Sequence, residues 1–500
     1  MSSLKPHNKI FTNTLLLLIL GELLSFLGYY YSLVNSLTFF LIVLLAISVS
    51  LYRLEYGLCI LLAELFIGSF GYLFYFESGE TKVSIRLALW LIIMSVWLAQ
   101  VILNWLKTKK LSVIFLKSLY FNYLIVLSIF IIWGLINGFL NGHAAGNIFF
   151  DFNNWLYFLL IFPLLTLKQD EGGQLFILRQ IFFVAITWLS AKSLVLAYIF
   201  SHNFNGFAVD LYRWTRVNGL GEITQVQGGF SRVFMQSQIF ALIGFFVLLL
   251  WLLKYIIGGG EWRLAATVKN RRFIMLPLFL SAIFISFSRS LWLGLAVGGI
   301  LVWLIAIFRI KIKFKHFLIF NFVILFSIFL SLALTVATVK FPYPAAYGGF
   351  NPVNLLGERA TQIANEAGAS SRWQLLTPLW QKIKTAPVMG QGFGATVTYR
   401  TNDPRALASS PNGLYTTYTF EWGWFDIWLK LGLLGLLAYL GLIFKIIKDG
   451  LKINSYFSLS LVTGLLVLIT VNIFSPYVNH PLGIGYIILT IAMMDQKKLI

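Results

Sequence analysis

The amino-acid sequence predicts an all-α polytopic membrane protein of about fourteen transmembrane helices, with a large, partly helical loop on the outer face. Three observations carry this prediction. Of 500 residues, 59% are hydrophobic and only 11% charged, a balance foreign to soluble globular chains of this length. The apolar residues gather into runs near the roughly 20 residues that a crossing helix needs. The formal net charge of +20 falls in short loops on alternate sides of those runs, as the positive-inside rule requires.

The runs lie at about 10–29, 36–52, 57–76, 85–106, 119–140, 155–167, 175–200, 238–257, 273–288, 290–308, 317–338, 425–444, 456–475 and 482–494. The segment MSSLKPHNK before the first is basic, and no small-residue cleavage site follows that run, so no cleavable signal is expected. With both termini in the cytoplasm, the basic loops all land on one side. These are Lys107 to Lys110, Arg263 to Arg272, Arg309 to Lys315, Lys445 to Lys452, and Lys497 with Lys498. Such charge orients a membrane protein and meets anionic inner-leaflet lipid; with no basic domain to hold it, nucleic acid is not an expected partner. The one cysteine, Cys59, lies in a predicted span, which sets aside disulfides, thiolate metal sites and cysteine catalysis.

Residues 273–308 are too long for one span at about 1.5 Å per residue and too short for three. Arg271 and Arg272 precede them and RIKIKFK (Arg309 to Lys315) follows, so both flanks favour the cytoplasm and the stretch reads as a tight hairpin. Its tip, SFSRS, puts Arg289 at the outer face near headgroup depth. An arginine there is costly without an anionic partner, which points to a lipid phosphate. The alternative is an arginine that reaches up to headgroups or pairs with a helix C-terminus.

Residues 1–500 read as a single integral membrane domain whose outer loops, about 201–237 and 340–423, form the expected active site. The first carries Asp210, Arg213, Arg216, Glu222 and Arg232, and a third, short outer loop, SPYVNHP, carries His480. In the large loop SSRWQLLTPLWQKIK reads as a helix capped by Ser370 or Ser371, with Trp373, Leu376, Trp380 and Ile383 on one apolar face. Pro378 is expected to kink or divide it, and the helix to lie on the membrane surface with Arg372 in its first turn. The GQGFG segment, Gly390 to Gly394, permits close approach of a ligand, with Gly392 and Gly394 as weaker substrate contacts. It follows no strand, so a dinucleotide site is not expected. Glu64 and Lys192 fall within spans and must face the bundle interior or water; they read as a mutual pair in preference to lining a passage. The glycines of KLGLLGLLAYLG read as close helix packing.

Several of these pieces occur in an order that resembles the O-antigen ligase and O-antigen polymerase superfamily of bacterial envelope glycosyltransferases. They are SFSRS with Arg289, GGFSRVF with Arg232, and the large loop. That loop runs R-W, then P-V-M-G-Q-G-F-G, then an acidic aromatic segment into KLGLLGLLAYL, and the resemblance covers roughly residues 220–445. It implies transfer of a glycan from a polyprenyl-diphosphate carrier to an acceptor, at the outer face of the bacterial inner membrane, without metal, nucleotide or other cofactor. The implied partners are the carrier-linked oligosaccharide, a glycan acceptor and membrane lipids, with a flippase and a chain-length regulator as candidate protein partners.

The residues support the same direction. No D-x-D motif is present to clamp a metal, so a diphosphate leaving group needs protein cations, and the planar guanidinium fork suits phosphate oxygens. Arg232, Arg289 and Arg372 are the candidates for holding it; Arg213 and Arg216, flanking Trp214, read as lipid-facing or acceptor-contacting. Activation of an acceptor hydroxyl calls for a base. Ligases of the superfamily carry a histidine late in the large loop, but SSPNGLYTTYTFEW has none, a departure from the ligase pattern. Glu421, beside the next span in an aromatic setting, is the candidate in its place; Asp403 in TNDP reads as a turn residue. Trp422, Trp424, Phe425 and Trp428 offer faces for stacking on sugars. The sequence thus reads as a polymerase-like glycosyltransferase, with Arg289 and Glu421 as catalytic residues. A ligase is the alternative within the class, and a lipid-linked oligosaccharide flippase or a non-catalytic envelope assembly protein the alternatives outside it.

Overall fold

Each apolar run of the sequence overlaps a helix in the computed structural model, the run 57–76 being helical only as far as Ile67; the structure describes residues 4–79, 81–109, 114–167, 174–204, 206–226, 229–257, 271–349, 351, 367–401, 407, 410 and 412–495. Asp403, Arg263, Lys497 and Lys498 lie outside the described residues.

In chain order the helices are α1 (Leu4–Tyr30), α2 (Ser32–Tyr52) and α3 (Leu54–Ile67), then a hairpin of β1 (Tyr75–Ser78) and β2 (Thr81–Ser84), then α4 (Ile85–Thr108) and α5 (Phe121–Leu140). Next come α6 (Ala145–Trp155), a 3-10 turn and α7 (Ile161–Leu165), α8 (Gln174–Ser201) and α9 (Gly206–Val217). The hairpin of β3 (Glu222–Gln225) and β4 (Ser231–Phe234) precedes α10 (Gln238–Ile257), α11 (Arg271–Ser286), α12 (Arg289–Leu304) and α13 (Phe314–Val339). The large loop contributes α14 (Ala367–Thr385) and the hairpin of β5 (Val397–Arg400) and β6 (Leu414–Thr417). The chain closes with α15 (Gly423–Ile453), α16 (Tyr456–Val471) and α17 (Pro481–Asp495).

Ten segments among the described residues are long and apolar enough to cross a membrane, α6 to α7 acting as one. The other four runs form α3, α11, α16 and α17, of 14, 16, 16 and 15 residues. These are short of the roughly 20 residues of a full crossing, and most of their described residues are buried against the rest of the bundle. Helix α10 is the hub, packed on α8, α11, α12, α13 and α16. On α12, a Cβ at Gly298 would stand 2.3 Å from the Phe246 ring of α10 and 2.7 Å from Val467 of α16, so the absent side chain sets how close these helices come. The outer helices α1, α2, α4 and α13 instead show leucine and phenylalanine outward, as a lipid-facing shell does.

Several expectations are corrected. Glu64 and Lys192 are both paired and buried, but not with each other: Arg86 Nε lies 2.7 Å from Glu64, and Lys192 Nζ lies 2.6 Å from Glu22. Arg86 also donates to the Ser69 carbonyl at 2.6 Å. The turn at SFSRS forms as read, but its arms separate, α11 lying against α8, α10 and α13 and α12 against α10 and α16. Helix α14 runs unbroken through Pro378. Ser371 caps nothing; its hydroxyl meets the Tyr399 hydroxyl at 2.9 Å. The buried face of α14 is Ser371, Leu375, Leu379 and Ile383, while Trp373 and Trp380 are exposed. That face packs on Val397, Tyr399, Phe420, Trp422 and Leu429, so the helix rests on the bundle's own end rather than presenting its apolar stripe to lipid.

The glycines of GQGFG and of KLGLLG serve one feature. Helix α15 breaks at Gly432 (φ 73°, ψ 176°), which frees carbonyls behind it. Gln391 N–H donates to Leu429 O at 2.7 Å, Gly392 N–H to Lys430 O at 3.1 Å, and Leu433 N–H to the Pro387 carbonyl at 2.9 Å. Irregular backbone inside a bundle is stable only when protein satisfies it in this way. Gly390, Gly392 and Gly394 all have positive φ, and a Cβ at Gly392 would lie 2.2 Å from Gly138 N of α5. Gly435 does pack on Phe130 of α5, as the glycine pattern suggested.

Candidate functional site

A cavity of about 450 Å³ opens at the end of the bundle where α12 and α15 begin and where the 472–480 loop joins α16 to α17. Arg232, Arg289, Arg372 and Glu421 all line it, although they come from four separate stretches of chain.

Arg289 is the first residue of α12. It follows Phe287, whose φ of 47° is uncommon for a bulky residue and must be held by packing. The Phe287 ring is held between Phe230, 4.8 Å away, and Trp292, 5.3 Å away. The turn therefore aims the start of α12 at the cavity, where the helix dipole adds to the arginine's attraction for an anion. Arg232 sits on β4 opposite Thr224. Its Nε donates to the Ser286 carbonyl at 2.8 Å and its guanidinium lies 5.1 Å from the Phe234 ring centre. That bond ties the β3–β4 hairpin to the turn before Arg289. Arg372, on α14, pairs through Nε with Glu421, and its carbonyl accepts from Trp422 Nε1 at 2.9 Å.

The Glu421 side chain is 48% exposed, so the aromatic residues after it do not enclose it. Trp422 packs on Trp373 and Phe474, and Trp428 Nε1 donates to the Pro387 carbonyl at 2.8 Å. These rings fasten the large loop to α15. Arg213 and Arg216 do not line the cavity; Arg216 reaches Glu222, which does, at 3.5 Å with both side chains half exposed. Gly392 and Gly394 lie behind the wall, Gly394 N–H donating to Asp151 at 2.8 Å.

Sequence reading missed the deep wall. Lys430 Nζ lies 2.8 Å from Asp151 and 2.7 Å from Asp426, and Asp426 also accepts from Asn479 Nδ2. Asp151, Asp426 and Lys430 are at most 7% exposed, yet all three line the cavity. The i,i+4 spacing of Asp426 and Lys430 in DIWLK was the available signal; Asp151, on α6, offered none. His480 also lines the cavity, its ring edge toward Phe70. Burial first, and the Arg86 charge second, push its imidazole down to about 3, so it is neutral at physiological pH. Its Nδ1 accepts from Leu482 N–H at 3.3 Å, which leaves Nε2 carrying the proton. With Nδ1 already accepting, the neutral ring offers a donor at Nε2 rather than a base. Among the lining residues, four cationic side chains (Arg232, Arg289, Arg372, Lys430) face four carboxylates (Asp151, Glu222, Glu421, Asp426). The charges that line the cavity therefore balance, with Lys430 buried and Arg372 partly exposed.

Residues 273–440 match the family model described as O-antigen ligase. No curated protein and no solved structure matches the chain. The matched segment contains Arg289, Arg372, Glu421, Asp426 and Lys430; Arg232, Asp151 and His480 reach the same cavity from outside it. The match covers about a third of the chain, and in this segment the protein is similar to the O-antigen ligase family, whose members are membrane enzymes that transfer glycans.

Proposed function

We propose that this protein is a polymerase-like glycosyltransferase of the bacterial inner membrane, its termini cytoplasmic and its cavity on the outer side. It moves a glycan from a polyprenyl-diphosphate carrier to an acceptor sugar, without a metal or nucleotide cofactor. The convergence of Arg232, Arg289 and Arg372 on one cavity supports this most. Planar forks around a diphosphate pair its oxygens and offset the charge that develops as the carrier leaves. Glu421, held by Arg372 at the partly exposed end of the site, orients the acceptor once the diphosphate competes for that arginine. The cavity volume is within the range of small-ligand sites. It accommodates the reacting sugars and the diphosphate while the lipid and the rest of the glycan stay outside.

A ligase that delivers finished glycan to a lipid or protein is the second reading, favoured by the description of the matching family model. The absence of histidine from SSPNGLYTTYTFEW weighs the other way. The ordered α14 and its β5–β6 hairpin, packed over the bundle end, are more than a flippase needs. The products that accumulate in a deletion strain decide between the first two. Carrier lipid bearing a single repeat is the expected result; long polymer left on the carrier would establish the ligase.

A further inference from the structure

Of the four carboxylates that line the cavity, Glu421 and Asp426 are of opposite character. Glu421 is half exposed and already balanced by Arg372. Asp426 is 3% exposed, still lines the cavity, and shares Lys430, its one cationic partner among the described residues, with Asp151. One lysine between two carboxylates leaves a unit of negative charge in a buried place, where unbalanced charge is costly. A proton arriving at this cluster neutralises it; one arriving at Glu421 would unbalance Arg372. Beside Asp426, Asn479 donates through Nδ2 while its Oδ1 is buried and accepts no hydrogen bond among the described residues. A buried acceptor of this kind calls for a donor, and a sugar hydroxyl entering the cavity supplies one.

We propose that Asp426 is the group that takes the acceptor's proton, and that Asn479 beside it positions the acceptor hydroxyl. The inference rests on the glycosyltransferase reading above. In the transfer, the hydroxyl oxygen forms a bond to the anomeric carbon, and the bond from that carbon to the carrier's phosphate oxygen breaks. The electron pair leaves with the diphosphate, and the hydroxyl proton passes to an Asp426 carboxylate oxygen. Lys430 and Asp151 hold that carboxylate in place as positioning residues. Asp151 also anchors the GQGFG backbone, so the large loop and the proton acceptor are set by one cluster.

The test uses the full-length protein in nanodiscs, with carrier-linked oligosaccharide as donor and acceptor. Asp426→Asn is expected to lower kcat by about 10²–10⁴-fold, with KM and carrier binding within about threefold of native, because the arginines are untouched. Glu421→Gln is expected to act mainly on KM, losing less than about tenfold in kcat. Asp151→Asn, which loosens Lys430 but keeps the Asp426 carboxylate, should also lose less than about tenfold in kcat. Native turnover by Asp426→Asn would overturn the proposal. So would a large kcat loss in Glu421→Gln, or an equal kcat loss in Asp151→Asn and Asp426→Asn. Should Asp426→Asn not accumulate, Asp426→Glu decides: the carboxylate is kept but displaced by a methylene, so kcat should fall at unchanged KM, and a native kcat would count against the assignment. If the arginine variants lose transfer while Asp426→Asn does not, the inference fails alone and the glycosyltransferase reading stands.

Discussion

Replacement of Arg289 by lysine is expected to reduce glycan transfer by about 10²–10³-fold at matched protein level, the scale on which single preorganised donors to a developing charge act. The substitution keeps the positive charge, so simple attraction of an anion survives it. What is lost is the fork: lysine offers a point charge on a flexible stem and cannot pair two phosphate oxygens side by side. The surroundings make the geometry demanding. Arg289 starts α12 directly after the left-handed Phe287, and Arg232 fastens that turn through the Ser286 carbonyl. A displaced cation at this point loses both alignment with the helix dipole and register with Arg232. The assay is carrier turnover by purified protein. Near-native transfer would reduce Arg289 to an anchor reaching for headgroups.

The largest stability effect is expected from Arg86→Met. Glu64 would be left 6% exposed without its cation, and the Ser69 carbonyl without its donor. Removing one member of a buried pair typically costs about 3–5 kcal/mol, mostly through the uncompensated charge that remains. Thermal unfolding in detergent should therefore shift far down, or the protein should fail to accumulate. The double variant Glu64→Gln with Arg86→Met should recover most of the loss, because the stranded charge is gone. A single variant as stable as the native protein would show that water reaches this pair freely.

Legibility in the sequence followed the physics of each feature. The crossing helices were legible because lipid imposes a long apolar window on each crossing, and each window overlaps a helix, whereas α9 and all of α6 but Trp155 lie outside every window. The need for Glu64 and Lys192 to be paired was also legible, since an unpaired charge in the bundle is too costly to persist. Their partners were not, because Glu22 and Arg86 stand at helix positions whose neighbours only the packing order decides. In α14 the tryptophans drew the apolar face toward Trp373 and Trp380, whereas the i,i+4 row Leu375, Leu379 and Ile383 is what packs. The Gly432 break was hidden in a glycine repeat that also serves close packing, and only the docking of Gln391 and Gly392 distinguishes the two.

At the site, the arginines were legible from their chemistry and their place beside predicted outer loops, and the structure brings all three to one cavity. The Asp151–Lys430 contact joins residues 279 positions apart, so no local pattern announced it. Asp426 went unread in the sequence, standing at the head of an apolar span among the aromatic residues that follow Glu421.

The central claim, that the arginine-lined cavity transfers glycan from a lipid diphosphate, is tested most directly by reconstitution. The purified protein in nanodiscs is given a carrier-linked single repeat as its sole glycan, with a chelator present. The account predicts a ladder of longer carrier-linked glycans, with one polyprenyl diphosphate released for each new glycosidic bond. Carrier-linked glycan recovered unchanged, with no diphosphate released by an otherwise folded protein that binds the carrier, would contradict it.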